Sequence, residues 1–175
     1  MASDSMVDLT IRTAGAVRHA PRLLRAWMTA TETCVRDDTG MLLWLATDSQ
    51  IAWVYDGQLT TSPPLDDNAA GEVVWWEPAT EVSALRDLRS AALWLGAEHE
   101  PVPVVDDARL SGKEVDWFTV PHEQVRNLRI ARDSATGTVM HISGTDPVHG
   151  DLLVEVTAIH VLPRNDATFQ PQLNL

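Results

Sequence analysis

Hydrophobic and polar positions alternate along several stretches of this chain. Residues 6–13, MVDLTIRT, set Val7, Leu9 and Ile11 against Asp8, Thr10 and Arg12, the period of a half-buried strand. MLLWLATD (41–48) and IAWVYDG (51–57) predict two more strands, joined through the turn residues of TDSQ. EVVWWEPA (72–79), PVPVVDDARL (101–110), EVDWFTV (114–120), GTVMHISGT (137–145) and DLLVEVTAIHVLP (151–163) predict the rest of a sheet. Three stretches carry helical spacing instead. AGAVRHAPRLLRAWMTATE (14–32) brings Val17, Leu24, Trp27 and Met28 together, with Pro21 marking a kink or the first turn. TEVSALRDLRSAALWLG (80–96) has Thr80 as its N-cap and Gly96 as its stop. PHEQVRNLRIARD (121–133) reads as a short helix opening at Pro121.

A pattern recurs. Residues 36–48 read RDDTGMLLWLATD and residues 132–146 read RDSATGTVMHISGTD. Both begin at Arg-Asp, pass a Thr-Gly turn, run along a strand and end in Thr-Asp, with a second strand following. Such recurrence argues for a duplicated architecture. The predicted fold is therefore α+β: antiparallel sheet with about three helices on one face, built from two related βαββ halves. Residues 1–62 form the first strand-helix-strands unit and 63–71 a loop. Residues 72–165 form the second unit, with an inserted helix and strands, and 166–175 a flexible C-terminal tail.

The bulk properties narrow the picture. The chain has 175 residues, 45% of them hydrophobic, enough for one ordinary core. A formal charge of −12 favours solubility and repels nucleic acid overall. The single cysteine, Cys34, excludes a disulfide framework within the chain, and MASDSMVDLT has no basic region followed by an apolar run. These features predict a cytoplasmic protein, and no membrane span is expected. Seven tryptophans stand against two phenylalanines and one tyrosine. Trp44, Trp53, Trp75 and Trp117 fall in predicted strands, where core filling is the default. Adjacent Trp75 and Trp76 must face opposite ways, which leaves one of them a candidate for an interface.

All thirteen basic residues except Lys113 are arginine, and eight lie on the three predicted helices. Arg18, Arg22 and Arg25 follow i, i+4, i+7 on the first, Arg86 and Arg89 lie three apart on the second, and Arg126, Arg129 and Arg132 form an arc on the third. They either meet phosphates without sequence preference or form the solvated faces of amphipathic helices. Enzyme signatures are absent: there is no phosphate-binding glycine loop and no G-x-S-x-G elbow. The six histidines lack metal-ligand spacing, and no cofactor is implied. Cys34 reads as packing, and Asp48 and Asp146 as turn caps.

LATDSQIAWV (45–54), FTVPHEQVRNLRIARD (118–133) and DPVHGDLLVEVTAIHVLPRN (146–165) together resemble segments of the DNA sliding clamps, the bacterial beta clamp and its PCNA-like relatives. That resemblance implies a non-enzymatic accessory of DNA replication or repair whose helices line a DNA-sized pore. It makes double-stranded DNA and further copies of the chain the partners. Residues 60–115 have no counterpart in that family. The last four residues, QLNL, are similar to the peptides that bind bacterial clamps, with Gln172 fixing the register and Leu173 and Leu175 filling an apolar pocket. This implies recruitment to a sliding clamp. The alternative from a different class is a small acidic interaction protein with no DNA role, such as a phage-encoded inhibitor, an immunity protein or a structural component.

Overall fold

The computed structural model describes residues 5–14, 22–63, 77–106, 109–148 and 150–171. Eleven strands form one sheet: β1 (Ser5–Ala14), β2 (Arg22–Met28), β3 (Thr33–Asp37), β4 (Leu42–Ala46), β5 (Ile51–Tyr55), β6 (Gln58–Ser62), β7 (Val102–Val104), β8 (Val115–Thr119), β9 (Arg126–Asp133), β10 (Val139–Asp146) and β11 (Gly150–Pro163). Two short helices, α1 (Glu77–Ala84) and α2 (Leu88–Trp94), stand between β6 and β7. The strand order is β6-β5-β4-β3-β2-β1-β11-β10-β9-β8-β7, and every pairing is antiparallel. Two meanders thus meet where the first strand pairs with the last, Ser5 opposite Pro163. None of the helices among the described residues is long and apolar enough to cross a membrane.

This corrects the expected α+β architecture of three helices on two βαββ halves. Residues 22–28, expected in a helix, are β2. Leu24, Ala26 and Met28 are buried on one face while Leu23, Arg25 and Trp27 take the other. Leu23 and Trp27 are apolar although they point outward, and this hides the period of two behind an apparently helical stripe. Residues 126–133, also expected in a helix, are β9. A bulge holding Asn127 at φ +53 lets Arg126 pair with Thr145 and Arg129 with Ser143, so a spacing of three keeps both arginines on one face. The helix expected over 80–96 is two helices. Asp87 ends the run by accepting the Ser90 N–H as the N-cap of α2, and Gly96 follows at φ +66.

The main core lies between the sheet and the helices. Val7, Leu9 and Ile11 of β1, Leu24, Ala26 and Met28 of β2, and Ile130, Ile142, Val154 and Val156 pack with Val82, Leu85 and Ala91 of the helical pair. The helices also lock the sheet into a curve. The Leu85 carbonyl accepts the Val139 N–H of β10. The next residue, Arg86, donates to the carbonyls of Thr29, Ala30 and Glu32 and to Thr33 Oγ1, around the β2–β3 turn. In a flat sheet β3 and β10 lie four strand spacings apart, about 19 Å. Two neighbouring residues reach both only because the sheet curls around them.

The recurring Arg-Asp…Thr-Gly stretches are the β3–β4 and β9–β10 turns. Asp37 accepts from the Thr39 N–H, its hydroxyl and the Met41 N–H. Asp133 accepts from the Thr136 N–H and hydroxyl. Gly40 and Gly137 follow at φ +87 and +77. The recurrence is one solution to one turn, and strands rather than helices precede both copies.

Candidate binding face

The sheet has an inner face under the helices and an outer face on the other side. The register assigns every strand residue to one of them. On the outer face of the β3–β6 half, Cys34, Leu42, Leu45, Ala52 and Val54 are buried with Met6 and Phe169. Phe169 ends a single 3-10 turn, Asp166–Phe169, which follows β11. Arg164 fixes that turn. Its Nε and Nη2 donate to the two carboxylate oxygens of Glu32 at 2.8 and 3.0 Å, it also meets Asp166, and its guanidinium lies 5.6 Å from the Phe169 ring. Hydrogen bonding to Glu32 raises the Arg164 pKa above its ordinary value. The chain leading into the C-terminus is thus an anchored cap over this half of the outer face. Gln172, Leu173 and Leu175 lie outside the described residues.

Nothing among the described residues seals the remaining outer face in the same way. A row of directly paired residues crosses six strands there: Trp117, Ala131, His141, Glu155, Arg12 and Leu23. Five strand spacings make it about 24 Å long. Arg129 stacks 4.3 Å from the Trp117 ring and donates to Asp106. The His141 ring meets Trp117 edge-on at 5.6 Å, and its buried Nδ1 has no hydrogen-bond partner among the described residues. Burial lowers the His141 pKa, with Arg129 adding to the effect and Glu155 opposing it. Arg12 pairs with Glu155 at 2.7 Å, and Leu23 at the end of the row is 51% exposed.

Next to Leu23 lies a groove of about 490 Å³ lined by Leu23, Arg25, Trp27, Arg36, Asp38 and Gly40, among others. Arg25 Nε and Nη2 donate to the two oxygens of Asp8 at 3.1 and 2.7 Å, and its guanidinium stacks 4.7 Å from the Trp27 ring. The hydrogen bond to Asp8 raises the Arg25 pKa. Arg36 stands directly opposite Arg25 on β3 and donates to the Gly40 carbonyl at 2.9 Å. Asp8 offsets the repulsion that two like charges directly across a strand pair would otherwise cause.

A second groove, also of about 490 Å³, lies between the end of α2 and the β8–β9 loop, with Glu98, His99, His122 and Glu123 in its lining. His122 Nδ1 accepts the Gln124 and Val125 N–H groups, which leaves Nε2 as the donor to the Leu95 carbonyl at 3.0 Å. Both ring nitrogens are thus engaged by backbone groups, of its own loop and of the end of α2. No group of three or more metal-ligating side chains occurs among the described residues.

The arginines singled out by spacing scatter. Arg18 lies outside the described residues, and Arg22 opens β2 on the inner side. Arg25, Arg126 and Arg129 share the outer face. Arg132 faces inward, paired with Asp116 and 5.3 Å from the Phe118 ring. Arg86 is a structural group whose pKa burial lowers, and Arg89 is exposed on α2. The arginine-bearing helical faces that a DNA pore needs do not form, because two of the three expected helices are strands. Arg36, Leu23, Trp27 and Asp8 were absent from the expected site. Reading LLRAW with a period of two would have placed Leu23, Arg25 and Trp27 on one face.

No protein-family model and no curated protein matches the sequence. Solved structures do match in fold. An uncharacterized conserved protein from Thermus thermophilus superposes with a TM-score of 0.55 at 11% identity, over 96% of this chain and 85% of that one. MucB of Pseudomonas aeruginosa, solved with MucA, gives 0.48 at 14% identity over 95% of this chain. A LolA superfamily protein from Nitrosomonas europaea gives 0.33 at 10% identity, over 97% of this chain and 91% of that one. The chain spans about half the length of the MucB chains it matches. The eleven-stranded antiparallel sheet overturns the sliding-clamp and replication-accessory reading, which needs arginine-bearing helices where the described residues form strands. Double-stranded DNA and a sliding clamp find no support as partners.

Proposed function

We propose that this chain is a non-enzymatic protein-binding module that engages its partner through the open part of its outer face. One observation carries the reading: this area sets a half-exposed leucine, Leu23, beside an arginine stacked on a tryptophan, Arg25 on Trp27. Arginine and tryptophan together are the residues that dominate binding energy at protein interfaces. The inner face offers less room, since Val82, Leu85 and Ala91 fill the space against the sheet. A hydrophobic small ligand is the second reading. It draws on the Trp44–Trp53 pair of the inner face, stacked at 6.3 Å and only partly buried.

Selection from a random peptide display library tests the first reading. The intact chain should enrich a consensus that is lost on Leu23→Glu, a substitution at an exposed position that leaves the fold intact. Enrichment that survives Leu23→Glu, or no enrichment at all, overturns the outer-face reading. Quenching of tryptophan fluorescence by a fatty acid, abolished in Trp53→Ala, would favour the second.

A further inference from the structure

The groove between β2 and β3 has the makings of a specific anchor, and this inference rests on the outer-face reading. A guanidinium carries five N–H donors in a fixed fork. Arg25 spends two of them on Asp8, and the other three have no partner among the described residues. Its side chain is nevertheless 56% exposed, while that of Asp8 is 6% exposed. Asp8 and the Trp27 ring therefore hold Arg25 in one orientation without covering it. The fork is preorganised, and a ligand bound to it would forfeit little side-chain freedom. Arg36 stands opposite Arg25 and adds a second guanidinium to the lining of the groove. Leu23 and Trp27 supply apolar surface at its side.

We infer that Arg25, opposite Arg36, is the anchor for one carboxylate side chain of an acidic segment in a partner protein, with a neighbouring apolar residue seated on Leu23 and Trp27. A carboxylate suits the fork as a bidentate partner. A dianionic phosphate suits the groove less well, because Asp37 and Asp38 lie in its lining. Asp37 is held by the turn it caps, whereas Asp38 is exposed at the rim. The choice of a protein partner follows from the mixed lining, since a carboxylate alone would leave Leu23 uncovered.

Fluorescence anisotropy with two labelled decapeptides tests this, one alternating Glu and Leu and the other alternating Gln and Leu. The Glu peptide should bind the intact chain at least tenfold more tightly, and raising the salt from about 50 to 500 mM should erase most of the difference. Arg36→Gln should weaken the Glu peptide about tenfold and leave the Gln peptide unchanged, while Arg89→Gln on α2 changes neither. Arg25→Gln strands Asp8, so Arg25→Gln with Asp8→Asn serves as the second variant and should behave like Arg36→Gln. Competition by inorganic phosphate at concentrations where acetate has no effect would overturn the assignment to a carboxylate. Equal binding of both peptides, or indifference to Arg36→Gln, overturns the anchor yet leaves the outer-face reading standing. Failure of both peptides overturns the anchor as well, and only failure of the display selection removes the binding face itself.

Discussion

The two halves of the outer face follow the same strand geometry and end differently. On the β3–β6 half, outward positions are Cys34, Leu42, Leu45, Ala52 and Val54, and Phe169 closes over them. On the half from β2 across to β9, the outward positions are Leu23, Arg25, Arg12, Glu155, His141 and Arg129, with charges paired along the surface. In the first half apolar burial stabilises the sheet on both faces. In the second, only the inner face carries the core, and the outer face keeps arginines poised over aromatic rings. An arginine's place decides its task. Arg86 and Arg164 hold turns together, whereas Arg25 and Arg129 stay accessible on top of the sheet even while they pair with Asp8 and Asp106.

Removing the cap gives the largest break in this contrast. Phe169→Ala should cost about 3–4 kcal/mol, as for a buried phenylalanine elsewhere, and lower the melting temperature by roughly 10 °C. Urea denaturation followed by tryptophan fluorescence measures it. A loss near zero would mean that the two halves are equally open. Arg86→Ala comes next, at about 2–3 kcal/mol, because three carbonyls and the Thr33 hydroxyl lose a charged donor at a half-buried turn. Arg86→Lys should recover little of it, since an ammonium cannot span four acceptors arranged for a planar fork.

The same contrast explains what was legible in the sequence. Strands with clean alternation, such as β1 with Val7, Leu9 and Ile11 buried, could be read directly. So could the turns built on Asp37-Thr39-Gly40 and Asp133-Thr136-Gly137, because their chemistry is local. β2 and β9 were lost for opposite reasons. In β2 the outward positions include the half-exposed Leu23 and Trp27, which packs against the outer cluster rather than the main core. In β9 a bulge shifts the phase and spaces the arginines as a helix would. Arg25 was singled out, but on the wrong element. Its supports, Asp8 and Trp27, come from register across β1 and β2, which a single strand's sequence does not specify. The capping role of Phe169 was equally hidden, since it depends on β11 delivering the chain end to a distant half of the sheet.

A smaller effect separates the buried end of the open row from its exposed end. His141 has its pKa lowered from the ordinary 6.5 by burial, so the folded chain favours the neutral ring. The unfolded chain takes up the proton more readily. Stability is therefore complete above about pH 6.5 and declines as the pH falls below it toward the lowered folded value. Thermal melts between pH 7.5 and 5 should show this decline, and His141→Phe, which keeps a ring against Trp117, should flatten it. An unchanged slope in the variant would assign the decline to other groups.

The smallest expected effect makes the sharpest point. Arg12 and Glu155 form a 2.7 Å pair, but their side chains are 51% and 28% exposed. Water screens such a pair, and exposed pairs contribute about 0.5 kcal/mol or less. Arg12→Gln should shift the melting temperature by no more than roughly 2 °C. If it cost as much as Arg86→Ala, the arginines of the open row would be structural like Arg86, and the division between a sealed and an available half would fail. A negligible cost leaves Arg12 a charge that the fold can spare for contact with another molecule. Display-selected peptides that bind Arg12→Gln less tightly than the intact chain would then extend the binding face from the Leu23 groove along the row toward His141.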